Sequence, residues 1–213
     1  MTQTKTTNPI LFFEEALKST LISQERESLL QDIATTLFNE YSDRNKLNIN
    51  FICTHNSRRS QIAQVWSFLA IEYFNLENIF SFSGGTETTA FHRNTVRTLQ
   101  EVGFEFNVID FSHQNPKYLI TFKQTKKSTI GYSKIYDDSE NNFPYIAITT
   151  CDSADENCPF IPDAIHRFHL PYTDPKTSDN TALTSETYLK TNQQIAAEVF
   201  IIFNTLHQYI NNN

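Results

Sequence analysis

The chain has 213 residues, enough for one domain that buries roughly 70% of its unfolded surface, so neither disulfides nor a structural metal is needed for stability. A formal charge of −7 argues against a nucleic-acid or anionic-membrane partner, because both reward clustered Lys and Arg. No apolar run approaches the roughly 18–20 residues of a membrane span, and Met1 to Asn8 lack the basic start and apolar stretch of a secretory signal. A cytoplasmic location is expected, where the three cysteines are more often catalytic or metal-binding than structural bridges.

From Pro9 to Tyr41, Leu17, Leu21, Leu29, Ile33 and Leu37 recur mostly at intervals of four among polar residues, which predicts two helices or one broken near Ser23. Ser42 to Asn45 reads as a loop. Residues 1–45 are therefore expected to be a helical extension packed on a main domain, 46–213. Leu47 to Ile52 is a short apolar strand. Ser60 to Phe74 is an amphipathic helix with Ile62, Trp66, Leu69 and Tyr73 on one face. Ile79 to Ser83 is a second strand ended by Gly84 and Gly85, and Thr95 to Val102 a helix stopped at Gly103. Tyr118 to Phe122 and Thr129 to Tyr136 flank a basic stretch with Lys123, Lys126 and Lys127, which reads as an inserted β-hairpin. Its lysines are either solvated or at the rim of an active site. Tyr145 to Thr150 and His166 to Leu170 are further strands, and Ser185 is expected to cap a last helix through Ile210. Strands alternating with helices imply an α/β fold with a parallel sheet covered on both faces.

The chemistry concentrates in residues 53–60, Cys-Thr-His-Asn-Ser-Arg-Arg-Ser. A thiol attacks only as its thiolate. A loop between a strand and a helix N-terminus turns backbone N–H groups inward, and the helix dipole favours negative charge there. Such a nest favours a Cys53 thiolate and also binds a tetrahedral oxyanion. Arg59 can grip that oxyanion with two parallel hydrogen bonds. Asn56 is suited to pinning the loop and Ser60 to bonding the sulfur, while Arg58 reads as a solvated or rim charge.

These eight residues resemble the signature loop of low-molecular-weight protein tyrosine phosphatases and of the arsenate reductases that share their fold. Many relatives have Gly where His55 stands, so His55 is expected to accept a positive φ. The resemblance spans roughly residues 47–112 and 143–210. It implies a three-layer α/β/α sandwich around a central, mainly parallel four-stranded sheet, with Thr54, His55, Asn56, Ser57, Arg58, Arg59 and Ser60 around the oxyanion.

A second motif, Cys151-Asp-Ser-Ala-Asp-Glu-Asn-Cys158-Pro159, resembles the redox loop of the thioredoxin-coupled arsenate reductases. Seven extended residues would span roughly 23–25 Å, whereas a disulfide needs Cα atoms about 4.4–6.8 Å apart. The interval must turn back or rearrange. Read without the resemblance, the pair could be inert buried thiols, or could bind zinc with His166 and His169. Six intervening residues exceed the usual spacing for zinc, and the two histidines would point to opposite faces of a strand. Asp174-Pro175 is by itself an ordinary turn, but the resemblance makes Asp174 the general acid. Lys176 and Thr177 stand where phosphotyrosine-specific members carry aromatics, with Tyr172 as a partial substitute. Gln64 replaces an acidic residue that some reductases link to potassium, so neither that ion nor any other metal is expected.

The resemblance implies arsenate reduction by Cys53, Arg59, Asp174, Cys151 and Cys158, with no bound cofactor and an external thioredoxin as reductant. The alternative is a phosphatase working through a Cys53 phosphocysteine.

Overall fold

The structure, a computed structural model, describes residues 8–157 and 161–212; Cys158 lies outside them. Two helices open the chain, α1 (Pro9–Ser19) and α2 (Gln24–Arg44). Their ends follow from local chemistry. The Asn8 side chain accepts from the Ile10 N–H at 3.0 Å with Pro9 in the first turn, where its missing N–H costs nothing. Ser23 accepts from the Arg26 N–H at 3.2 Å, which is why the helical pattern breaks there. Asn45, at φ 50°, stops α2 by donating its N–H to the Tyr41 carbonyl at 2.7 Å.

The rest is built on β1 (Leu47–Cys53), α3 (Arg59–Tyr73), β2 (Ile79–Gly85), α4 (Arg93–Glu101), β3 (Phe104–Asp110), β4 (Lys117–Phe122), β5 (Thr129–Gly131), β6 (Tyr145–Thr149), α5 (Asp152–Asn157), β7 (Ala164–His169) and α6 (Thr184–Asn211). The order β2-β1-β6-β7 makes a four-stranded, wholly parallel sheet. Central strand β1 is buried along its length. Its Ile49 and Phe51 join a core with α2, α3 and α6. Asn48 and Asn50 point to the other face and donate to the carbonyls of Pro144 (2.8 Å) and Tyr136 (3.0 Å), fixing segment 136–144 over it. Helix α5 completes the cover there, with Ala154 packed near Ile52 and Ala147. This is the layered α/β sandwich that the alternation of elements implies.

The hairpin is present as β4 and β5, but it belongs to a three-stranded antiparallel sheet, β3-β4-β5. Strand β3 was not foreseen, although Phe104, Phe106 and Val108 alternate with polar residues. The basic tip does not border the loop of residues 53–60. Lys127 pairs with Glu72 at 2.8 Å, and Glu72 lies near the end of α3, about 20 Å along the axis from Arg59 at 1.5 Å per residue. Helix α6 starts at Thr184 after Leu183, which offers no side-chain cap, so Ser185 is not the cap. The Thr184 hydroxyl instead bonds the Ser178 carbonyl at 2.5 Å.

Candidate active site

The strands of the parallel sheet run the same way, so β1, β2 and β6 bring Cys53, Gly85 and the segment entering Cys151 to one edge, where open α/β sheets bind their ligands. Residues 54–58 form the loop from Cys53 into α3. All five carbonyls from Cys53 to Ser57 are turned away from it and bonded. Cys53 O accepts from the Thr86 N–H (3.2 Å), Thr54 O from Glu87 (2.8 Å) and Ser57 O from His92 (3.0 Å). His55 O accepts from the Ser133 hydroxyl (2.8 Å) and Asn56 O from the Gln61 amide (3.1 Å). Among the described residues none of the amide N–H groups of His55 to Arg59 has an acceptor, and α3 has no side-chain cap. The loop is therefore a nest of free donors at a helix N-terminus, a ready site for a tetrahedral anion. Gly85 makes room for it, since a Cβ there would lie 2.7 Å from Thr54 O and 2.8 Å from Asn56 N.

Asn56, not His55, takes the positive φ, at 45°. It is buried and bolts the loop in three directions. Its Oδ1 accepts from the Lys134 N–H (3.0 Å) and from Gln61 Nε2 (3.0 Å), while its Nδ2 donates to Ser60 Oγ (2.9 Å). Ser60 Oγ in turn lies 3.0 Å from Cys53 Sγ. His55 points outward, 3.3 Å from Glu87, and the Ser57 hydroxyl holds the Ala90 carbonyl at 2.6 Å.

The two arginines are committed differently. Arg59 donates from Nη1 to the Tyr172 carbonyl (2.9 Å) and from Nη2 to Asp174 Oδ2 (2.7 Å). Its buried Nε has no partner among the described residues and is available to an oxyanion. Asp174 Oδ1 accepts from the Lys176 N–H at 3.0 Å, capping a 3-10 turn at Pro175–Ser178. Arg58 is not a solvated rim charge. Its Nε donates to Tyr188 Oη (2.6 Å) and its Nη2 to Asp179 Oδ2 (2.7 Å), which ties the loop to α6.

Asp179 sits in a cage that no local motif announced. Burial pushes its carboxyl up, but hydrogen bonds from Tyr188, Asn94 and Arg58 outweigh it and hold the group below the usual carboxylate range. Burial first, and then the Arg58 charge, push His92 down, so His92 is neutral near pH 7. Tyr172 is no rim aromatic either. It is buried, with the Arg26 guanidinium 5.1 Å from its ring.

Cys151 is buried in the apolar cluster that also holds Cys53, Ile52 and Ala154. Its Sγ lies 3.5 Å from the hydroxyl of Thr54, the residue after Cys53. The following interval, expected to turn, is helix α5. Asp155 staples it to β6 and β7 through Thr149 (2.8 Å) and Arg167 (2.6 Å). His169 holds Asp152 at 3.0 Å, while His166 bonds Glu40 of α2 at 2.9 Å. Among the described residues no group of three His, Cys, Asp or Glu side chains is placed to hold a metal, and no helix is long and apolar enough to cross a membrane.

No protein-family profile matches the chain. It is similar to an arsenate reductase of Brevibacillus brevis, 33% identical over 131 residues, which are 62% of this chain and 78% of the relative. An arsenate reductase of Bacillus subtilis is 31% identical over 133 residues, 62% and 77% of the two chains. Among solved structures, a low-molecular-weight phosphotyrosine phosphatase from Vibrio cholerae matches with a TM-score of 0.52 and 15% identity, over 74% of this chain and 95% of that one. Identity that low speaks to the fold alone, and the fold agrees with the sandwich described above. On the extent of its match to the Brevibacillus and Bacillus proteins, the chain belongs to the arsenate reductase family.

Proposed function

We propose that the protein reduces arsenate to arsenite, with the chemistry confined to residues 46–213 and the helices of 1–45 acting as scaffold. The observation that carries this reading is the loop itself: outward carbonyls, free amides and the open Arg59 Nε surround Cys53, with Cys151 in the same buried cluster. The Cys53 thiolate attacks As(V), the amides and Arg59 hold the remaining oxygens, and Asp174 protonates the oxygen that leaves as water. The Cys151 thiolate then attacks Cys53 Sγ. An S–S bond forms, the S–As bond breaks, and its electron pair stays on arsenic, giving arsenite. Cys158 next attacks Cys151, freeing the Cys53 thiolate, and a dithiol reductant of the thioredoxin class reduces the Cys151–Cys158 disulfide.

The relay requires α5 to open. A helix rises about 1.5 Å per residue, so Asp152 to Asn157 alone advance about 7.5 Å, beyond the roughly 4.4–6.8 Å between disulfide-bonded Cα atoms. The Asp155 and Asp152 staples hold that helix in the reduced state.

The test is steady-state arsenate turnover with thioredoxin, thioredoxin reductase and NADPH, run beside aryl phosphate hydrolysis. Wild type should turn over arsenate continuously, and Cys158→Ser should stop after at most one turnover. Sustained thioredoxin-dependent turnover by that variant would sink the relay. Efficient aryl phosphate hydrolysis after replacement of both Cys151 and Cys158, with no arsenate turnover in wild type, would make the protein a phosphatase.

A further inference from the structure

A cavity of about 730 Å³ opens between β2, β5 and the last turns of α3. It is within the roughly 300–1,000 Å³ usual for small-molecule sites. Most of its wall area is apolar, from side chains such as Phe68 and Ile71 of α3, Phe82 of β2 and Ile130 of β5, although Glu72, Glu77, Lys127 and Glu140 also line it. Gln64, on the helix wall, is fully engaged, donating to Thr129 and Ile130 and accepting from Ser83. Lys134 is the deeply buried cation of this lining. It lines the cavity, is 3% exposed, and its ammonium has no hydrogen bond or ion pair among the described residues.

The groups around Lys134 bond other partners. Its Nζ lies 4.6 Å from the centre of the Tyr132 ring, and that ring also takes Lys117 at 4.3 Å. Asp138 accepts from Tyr132 Oη (3.0 Å) and Glu140 pairs with Lys117 (2.7 Å). At the mouth Lys127 is paired with Glu72. Burial pushes the Lys134 amine down to about 8, against the pull of Asp138 and Glu140 and with the push of Lys117, so it still carries most of its charge at pH 7. The residue is almost wholly buried while its ammonium stays within reach of the cavity it lines, and an anion there would give it the hydrogen-bonded acceptor it lacks. The anion has a limited identity. Lys134 is a single point charge, not a fork, and the carboxylates Glu72, Glu77 and Glu140 along the lining disfavour a dianion about twice as strongly as a monoanion. The walls call for hydrocarbon.

We propose that this cavity is a binding site for a small organic monocarboxylate, its carboxylate on the Lys134 ammonium and its apolar body on Phe68, Ile71, Phe82 and Ile130.

The probe is octanoate, titrated calorimetrically into the full reduced chain at pH 7, with octan-1-ol as the uncharged analogue of the same body. Octanoate should bind and raise the melting temperature. Lys134→Met should weaken octanoate at least tenfold and leave octan-1-ol unchanged, and wild-type affinity for octanoate should fall between pH 7 and pH 9. Ile130→Glu, on the partly exposed hairpin, should weaken octanoate without unfolding the protein, which keeps the test decisive if the Lys134 variant does not fold. Saturating inorganic phosphate, which the catalytic loop would take, should leave octanoate binding unchanged. Absence of octanoate binding, equal binding by wild type and either variant, or competition with phosphate would each overturn the proposal.

Discussion

Asn56 carries the shape of the Cys53 loop in a single side chain. At φ 45° a residue with a Cβ is strained unless its side chain compensates, and Asn56 does so with hydrogen bonds to Lys134, Gln61 and Ser60. Asn56→Gly and Asn56→Ala both lose those bonds. Only alanine also meets the left-handed penalty, so Asn56→Ala should be less stable than Asn56→Gly by about 1 kcal/mol in urea denaturation. Equal stability would mean that the loop relaxes out of the left-handed region once the bolts are gone. Residues within the motif were legible because each acts on a neighbour: Ser60 on Cys53, Asn56 on Ser60. The partners of Arg58 were not, since Asp179 and Tyr188 stand 121 and 130 positions away, and nothing near Arg58 in the chain distinguishes a caged arginine from a solvated one.

At the scale of elements, α2 reaches Asp174, the proposed acid, through Arg26. Its guanidinium donates to the Pro171 carbonyl (3.0 Å), pairs with buried Glu198 of α6 (2.7 Å) and covers the Tyr172 ring. The Tyr172 carbonyl accepts from Arg59, and Asp174 follows two residues later on the same guanidinium. Removing Arg26 alone would leave Glu198 buried and unpaired, a cost of about 3–5 kcal/mol that would obscure any effect on catalysis. The double replacement Arg26→Met with Glu198→Leu removes both charges. It should fold, lower kcat for arsenate about tenfold, or about 1.4 kcal/mol of barrier, and leave KM nearly unchanged. The loss should not add to that of Asp174→Asn, because both act through one carboxyl. A full additive loss would separate Arg26 from the acid. The ends of α1 and α2 could be read from Asn8, Ser23 and Asn45, because caps are local. Which loop α2 would hold could not, because one arginine among polar residues on an exposed helix face carries no mark of a partner in α6.

For the whole molecule the question is whether the first two helices fold with the rest. Phe13 of α1 is fully buried, stacked on Trp66 at 5.5 Å and 4.9 Å from Phe200 of α6. Leu30, Ile33 and Leu37 of α2 lie in the same continuous core as Ile49 of β1 and Ile195 of α6. The sole tryptophan, Trp66, sits on α3, the helix that follows the Cys53 loop, and donates to Asn192 Oδ1 at 2.6 Å, so its fluorescence reports the packing of α1, α3 and α6 together. An extension that merely rested on a finished domain could lose Phe13 without moving the transition seen by Trp66. A shared core cannot. Phe13→Ala should cost about 3–5 kcal/mol, a large part of the roughly 5–15 kcal/mol that stabilises a domain. In urea, Trp66 emission and far-ultraviolet ellipticity should shift to a lower midpoint together and remain coincident. If ellipticity is lost first while the Trp66 midpoint stays at its wild-type value, residues 1–45 are a separable unit. If the two move together, the sheet edge that carries Cys53 stands on a core that α1 and α2 help to build.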